Sequence, residues 1–181
     1  ARLKDLQKFS KKHNIKIASI EDLIAYRLVN EKLISKIFVK NQTNHRSHKY
    51  EYIYYENKLD QSKNLVIKKG KLNFKKPIRV RVVTTNLKYL SNYKKEPKVQ
   101  LSLRYLSKFS NFVLIVINKK KDDKKEGENV ILRYYGIGAQ IIKDLRIKNM
   151  ILVTRTRKKI IGLEGFGLKI RKQEILRWKK F

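Results

Sequence analysis

Residues 97–118, with the sequence PKVQLSLRYLSKFSNFVLIVIN, decide the fold class of this 181-residue chain. The first part has the length of a helix and carries the apolar side chains Val99, Leu101, Leu103, Leu106 and Phe109. The second part, Phe112 to Ile117, is a continuous apolar run with the length of a strand that is buried on both faces. A helix followed directly by a fully buried strand favours an α/β protein.

The rest of the chain continues this alternation. Runs of β-branched or aromatic residues predict strands at 50–55, 64–68 and 78–85. The last third predicts a helix, a strand, a second helix and a final strand, at about 137–145, 150–154, 158–163 and 168–173. We therefore expect an α/β or α+β fold in which a mixed sheet packs against flanking helices.

The first forty residues form a separate unit by their pattern. Leu3, Leu6 and Phe9 predict a short helix, and residues 15–20 alternate as a strand does. Ser19 and Asp22 then form a capping-box pattern that opens a helix running to about residue 33. Residues 41–48 are polar without a period and predict a linker. We expect a boundary near residue 40, with domains at 1–40 and 41–181.

The composition narrows the chemistry. The chain has no cysteine, which excludes disulfides, thiol nucleophiles and zinc sites built on thiolates. Its longest apolar run, Phe112 to Ile117, is far shorter than the roughly 20 residues of a membrane-spanning helix. The N-terminal residues carry too many charges for a signal peptide. We expect a cytoplasmic protein that does not bind membranes.

The net charge of +31, from 46 basic and 15 acidic residues, raises the hypothesis of a nucleic-acid-binding module. The positive charges are 34 lysines and 12 arginines spread over every segment, whereas readout of base edges relies on arginine. Codon bias in an AT-rich genome would give the same lysine-rich surface on an ordinary enzyme fold. We favour the second explanation and keep non-specific nucleic-acid binding as an alternative.

Two segments could bind an anion. Residues 135–140, YGIGAQ, place two glycines before a predicted helix, where free backbone N–H groups favour a phosphate; close helix packing is the alternative. Residues 154–159, TRTRKK, follow a predicted strand and offer two hydroxyls and four cations where α/β proteins collect their ligands. A solvated basic turn would have the same sequence.

The C-terminal third resembles GTP cyclohydrolase II, the family that opens the purine ring of GTP in riboflavin synthesis. The resemblance is carried by three segments, RYYGIGAQII at 133–142, MILVT at 150–154 and GLEGFGL at 162–168. The strand PIRVRV at 77–82 resembles the family's strand before its zinc segment. Residues 1–27 are similar to the C-terminal end of 3,4-dihydroxy-2-butanone 4-phosphate synthase, which is fused ahead of the cyclohydrolase in many bacteria.

The resemblance implies roles for four residues. Arg81, Thr154 and Lys159 stand where the family contacts the nucleotide, and Arg133 stands at the arginine proposed as the catalytic nucleophile, here vestigial. Other positions depart from the family. Asn86 replaces the first of three zinc-binding cysteines, Val83 and Thr85 replace a histidine and a glutamate, and Ile131 replaces an aspartate.

These departures decide the predicted function. Zinc makes hydroxide at neutral pH by lowering the pKa of bound water from about 15.7 to about 7. We expect no zinc or other cofactor, no normal GTP cyclohydrolase II activity, and a structural, dimerising or regulatory role beside the synthase in riboflavin biosynthesis. GTP or another phosphorylated nucleotide and a second copy of the chain are the expected partners. An active cyclohydrolase with unusual ligands is the alternative.

Overall fold

A single seven-stranded sheet organises the chain in the computed structural model, which describes residues 2–43, 49–72, 76–86, 90–119, 128–157 and 166–176. The strands are β1 (Ile34–Thr43), β2 (Lys49–Asn57), β3 (Lys63–Lys69), β4 (Ile78–Thr85), β5 (Phe112–Asn118), β6 (Asn149–Thr154) and β7 (Lys169–Ile175). The helices are α1 (Leu3–His13), α2 (Ile20–Asn30), α3 (Pro97–Leu106) and α4 (Glu128–Asp144), with a 3-10 helix at Leu90–Lys95.

The sheet has an antiparallel half and a parallel half, in the order β1-β2-β3-β5-β4-β6-β7. β1, β2 and β3 form an antiparallel meander, and β3 pairs antiparallel with β5. β5 with β4, β4 with β6 and β6 with β7 pair in parallel. The predicted mixed sheet with flanking helices is confirmed, as are the strands expected over 50–55, 64–68, 78–85, 112–117 and 150–154 and the last strand near 168–173.

β5 lies in the middle of the core and has a separate apolar layer on each face. Val113, Ile115 and Ile117 belong to the layer that contains Ile137 and Ile141 of α4. On the other face, Phe112, Leu114 and Val116 share a layer with Val99 and Leu106 of α3. Because side chains alternate along a strand, the unbroken apolar run of β5 supplies both layers at once.

The N-terminal region departs from the sequence prediction. Residues 15–19 form no strand. α2 begins at Ile20, because the Asp22 N–H donates a hydrogen bond to Ser19 Oγ and the Ser19 N–H donates one to Asp22 Oδ2. α2 ends at Asn30, and the unpredicted β1 follows. β1 extends through residue 40, so the boundary expected there falls inside a strand. The assignment of 1–40 to a synthase-like end stays a prediction.

Two further differences concern the C-terminal half. α4 begins at Glu128, nine residues before the predicted start at 137. The helix expected near 158–163 lies outside the described residues. In the part of the chain that the structure describes, no helix is both long and apolar enough to cross a membrane.

A polar clamp holds the start of β1 to α4. The Leu33 N–H donates to Gln140 Oε1 and Gln140 Nε2 donates to the Glu31 carbonyl, each at 2.9 Å. The Tyr55 hydroxyl donates to Asp144 Oδ2 at 2.8 Å, and burial, followed by this hydrogen bond, raises the pKa of Tyr55. From Glu31 onward the chain is therefore fixed to the body of the fold.

An ion pair connects β4 to β7, two positions away in the sheet. Arg79 Nε donates to Glu174 Oε2 at 2.9 Å, and Arg79 Nη2 donates to Oε1 at 3.1 Å. Tyr105 donates to the same carboxylate, and the Arg79 guanidinium lies 3.7 Å from the ring centroid of Phe109. The hydrogen bonds from Arg79 are the main cause that lowers the pKa of Glu174.

Glu174→Gln tests this ion pair. Because the pKa of Glu174 is lowered on folding, its contribution is present above the unfolded pKa of about 4.3 and is lost as pH falls through the folded value. At pH 7 the variant should lose about 1–3 kcal/mol of unfolding free energy. Urea titrations between pH 7 and pH 3 should show the two proteins converging toward acid. A constant difference across that range would contradict the assignment.

Gly70 permits the close approach of the β3 end to the segment before β5. It has φ +72°, and an added Cβ would lie 2.5 Å from the Ser110 carbonyl oxygen. Gly167 has a similar φ of +68°, but there an added Cβ meets no atom of the described residues within 4 Å. An alanine at Gly167 would therefore cause backbone strain alone, whereas an alanine at Gly70 would cause backbone strain and a steric clash.

Gly70→Ala should lower the unfolding free energy by about 2 kcal/mol or more, since strain and clash add. Gly167→Ala should cost only about 1 kcal/mol, the strain of a left-handed residue. Chemical denaturation of both variants measures the difference. Equal losses of unfolding free energy in the two variants would show that the clash with the Ser110 carbonyl adds nothing to the backbone strain.

Candidate functional site

A crevice opens where β4 and β6 separate. Their parallel ladder pairs Ile78 with Met150 and ends at Val80 and Leu152. Beyond these residues a cavity of about 260 Å³ lies at the carboxyl ends of the two strands. In α/β proteins, ligands collect outside the carboxyl ends of strands, because parallel strands leave their last backbone groups and loops at the same edge.

The lining of the crevice combines apolar and aromatic side chains with three cations. One wall of the crevice is formed by residues of α4, namely Tyr134, Tyr135, Gly138, Ala139 and Ile142. The cations are Arg81 from β4, Lys98 from α3 and Arg155 after β6. Among the described residues that line it, none carries a carboxylate. The crevice therefore suits a ligand that combines a flat or apolar part with negative charge.

Hydrogen bonds hold the Arg81 side chain at the point where β4 and β6 separate. Its Nη1 donates to the Val153 carbonyl at 3.0 Å, and its Nε lies 3.4 Å from Ser102 Oγ. Burial lowers the pKa of Arg81, and the nearby charge of Arg155 adds to this effect. An arginine still stays protonated at neutral pH. The half-buried Arg81 thus feels the charge of the exposed Arg155, and an anion between the two cations would be favourable.

Thr154 places an unsatisfied hydroxyl at the same crevice. The residue is 6% exposed, and its Oγ1 has no hydrogen-bond partner among the described residues. Its carbonyl accepts from the Leu176 N–H at 2.7 Å, so the backbone at this point is held by the end of β7. A buried hydroxyl without a partner costs about 1–3 kcal/mol. A ligand oxygen here would remove that cost.

The structure brings together two of the four residues that the resemblance implies. Arg81 and Thr154 line the same crevice. Lys159 and the side chain of Arg133 lie outside the described residues, so their roles stay predictions. Arg155 belongs to the basic segment that the sequence singles out. The sequence does not single out Lys98, because a lysine in the first turn of a helix looks like any surface lysine in this lysine-rich chain.

The glycine segment at 135–140 is not an anion loop. It lies inside α4, where backbone N–H groups bond within the helix, so the prediction of free donors is wrong and the packing alternative applies. A Cβ on Gly138 would lie 3.6 Å from Ile117 Cδ1 and 3.7 Å from Val82 Cγ1, at ordinary van der Waals distance. The small residue lets α4 approach the sheet beside the crevice.

The residues at the end of β4 do not fit the zinc ion of the family. Val83, where the resemblance implies a histidine, packs in the apolar layer with Val99 and Leu114. Thr85 is 6% exposed, and Asn86 is exposed. No group of three or more His, Cys, Asp or Glu side chains suited to a metal occurs within the described ranges. An aliphatic side chain and a neutral amide cannot replace thiolate ligands.

Thr154→Val should separate stability from binding. Valine has a similar shape without the unpaired hydroxyl, so we expect the free protein to gain about 1 kcal/mol of unfolding free energy. Urea denaturation without added ligand measures this gain. Thr154→Ser keeps the hydroxyl and should bring no such gain. A loss of stability in the valine variant would show that Oγ1 is already paired.

The comparisons with known proteins agree with the C-terminal resemblance. Residues 117–174 match the family described as GTP cyclohydrolase II. The riboflavin biosynthesis protein RibBA of Aquifex aeolicus (strain VF5) is 32% identical over 198 residues, which cover 94% of this chain and 48% of that protein. A 3,4-dihydroxy-2-butanone 4-phosphate synthase of Sulfurospirillum multivorans is 28% identical over 174 residues, covering 94% and 46%.

A solved structure shares the fold. RibBX from A. baumannii, described as a two-domain 3,4-dihydroxy-2-butanone 4-phosphate synthase, superposes with a TM-score of 0.70 at 24% identity. The match covers 96% of this chain and 50% of RibBX. The chain thus spans about half the length of the relatives that it matches.

Proposed function

We propose that this chain, which belongs to the GTP cyclohydrolase II family of riboflavin biosynthesis proteins, binds a phosphorylated nucleotide such as GTP without opening its ring. Its role is then structural, dimerising or regulatory for a 3,4-dihydroxy-2-butanone 4-phosphate synthase to which it is joined. Support comes from the relatives' names, because both the Sulfurospirillum protein and RibBX are called synthases and share this half with RibBA.

The end of β4 carries the proposal. β4 places both Arg81 and Val83, two residues further, in the lining of the crevice, and Val83, which also packs in the apolar layer with Val99 and Leu114, is aliphatic where the resemblance implies a histidine. The cationic lining next to it offers charge for phosphate groups, and Tyr134 and Tyr135 offer ring surfaces. The activation of water by a zinc ion is not supported in the same way, because the chain has no cysteine to hold the ion.

Titration with GTP tests both parts. A ligand that binds only the folded state stabilises it by about 2.7 kcal/mol at 100 times its Kd. For a chain of this size that corresponds to a rise in Tm of about 5–10 °C. We expect this rise with GTP alone, no further rise with zinc, and no formate released from GTP in the presence of zinc.

Two lysines provide a matched control. Lys98 lines the crevice, whereas Lys95 is an exposed residue of the 3-10 helix that does not line it. Lys98→Ala should weaken GTP binding several-fold, and Lys95→Ala, which removes the same charge, should leave it unchanged. Equal weakening in both variants, with a steep dependence on salt, would indicate non-specific binding of polyanions. Zinc-dependent release of formate would show an active cyclohydrolase and overturn the loss of catalysis.

A further inference from the structure

One face of the antiparallel meander carries a row of aromatic rings. Tyr50, Tyr52 and Tyr54 alternate along β2, so their side chains lie on the same face of the sheet. Phe38 of β1 lies directly opposite Tyr54, and the Tyr93 ring of the 3-10 helix contacts Tyr52 with ring centroids 6.0 Å apart. We call these five residues the aromatic face.

Four of these rings are accessible to solvent. The three tyrosines of β2 pack at the margin of the apolar layer beneath α3 and remain partly exposed. Phe38, on the edge strand, is 53% exposed, whereas Tyr93 is buried beside Tyr52. The planes of Phe38 and Tyr54 are tilted by 40° and those of Tyr52 and Tyr93 by 47°, so neither pair is stacked face to face. Ring surface is therefore available to a ligand that stacks.

The spacing of these rings suits bases that are not paired. Alternate residues of an antiparallel strand lie about 6.8 Å apart. This distance is twice the roughly 3.4 Å between neighbouring nucleotides in one strand of a duplex, where the bases already stack on each other. Unpaired bases can separate and place one face on an aromatic side chain. The aromatic face is therefore suited to a single strand and not to a duplex.

Lysines lie on two sides of the aromatic face. Lys40 of β1 lies directly opposite Tyr52 and is exposed. Lys94 is also exposed, and its Nζ lies 6.0 Å from the centroid of the Tyr93 ring. Each ammonium group can neutralise a phosphate of a strand whose bases stack on the rings. A second copy of the chain would instead bring its own lysines against them, which is unfavourable.

A cationic cavity continues the aromatic face at one end. It has a volume of about 460 Å³, and Tyr50 contributes to its lining. The lysines that line it are Lys49, Lys68 and Lys71. Glu51, the carboxylate of this lining, is paired with Lys68. At the other end of the row, Glu56 follows Tyr54 on the same face. The balance of charge along the aromatic face is therefore positive.

Binding by stacking does not depend on arginine. The net charge of +31 raises nucleic-acid binding as an alternative, whereas the 12 arginines among 46 basic residues argue against readout of base edges. Proteins that bind single strands without sequence preference combine a positively charged surface with aromatic rings on which bases stack. The aromatic face supplies the second of these components.

We propose that the aromatic face binds single-stranded nucleic acid without sequence preference. Bases stack on Phe38, Tyr52 and Tyr54, and the surrounding lysines neutralise the phosphates. This activity is separate from the proposed binding of GTP, because other residues line the crevice at the ends of β4 and β6.

Fluorescence anisotropy with a fluorescein-labelled oligothymidylate of about 15 nucleotides tests the proposal on the full chain. Phe38→Leu removes one ring of the aromatic face but keeps an apolar side chain, and it should weaken binding about fivefold or more. Tyr26→Leu removes a ring that is 66% exposed on α2, outside this face, and should leave binding unchanged. Both variants should keep the fold, because both side chains are exposed. The same titration with an oligouridylate shows whether RNA or DNA binds more tightly.

The affinity for the oligothymidylate should also fall steeply between about 50 and about 200 mM salt. The proposal is overturned by no binding, by equal binding of a duplex of the same length, by equal effects of the two variants, or by a dimer of the chain that Phe38→Leu abolishes. The GTP titration keeps the two proposals apart, because Phe38→Leu should show the same rise in Tm with GTP as the unchanged chain. Absence of that rise in the unchanged chain contradicts the proposed function alone, and an unchanged oligonucleotide affinity in Phe38→Leu contradicts the role of the aromatic face alone.

Discussion

The burial of β5 is the constraint on which the rest of the structure depends. Six of its seven residues, Phe112 to Ile117, are buried, so both faces need an apolar cover and both edges need hydrogen-bond partners. β3 and β4 satisfy the edges, and α4 and α3 cover the faces. The antiparallel meander and the parallel half of the sheet therefore meet at this strand.

This arrangement also creates the crevice. α4 packs over the parallel half, and the β4–β6 ladder ends at Val80 and Leu152, so the carboxyl ends of the strands separate under the helix. Arg81 bridges the gap by donating to the Val153 carbonyl. The arginine thus satisfies a backbone group of the fold as well as lining the crevice.

Polar groups of the crevice are favourable for a ligand and unfavourable for the free protein. The buried Thr154 hydroxyl, which has no partner among the described residues, lowers the stability of the unliganded fold. Burial, followed by the charge of Arg155, lowers the pKa of Arg81. Binding sites commonly carry such a cost, because the groups that recognise a ligand are incompletely paired without it. At the end of β4, by contrast, the side chain of Val83 packs in the apolar layer, which is why we propose that metal binding is lost there while anion binding is kept.

The sequence by itself determined the central elements and the chemistry that is excluded. The apolar run of β5 and the β-branched runs of its neighbours are local patterns, and the absence of cysteine is a matter of composition. The tertiary structure alone decided the rest. β1 has little periodicity and forms because β2 offers an edge. The alternating residues 15–19 pair with no strand among the described residues and form none. α4 extends back to Glu128. The meeting of Arg81, Lys98 and Thr154 depends on where two strands part, which no local spacing encodes.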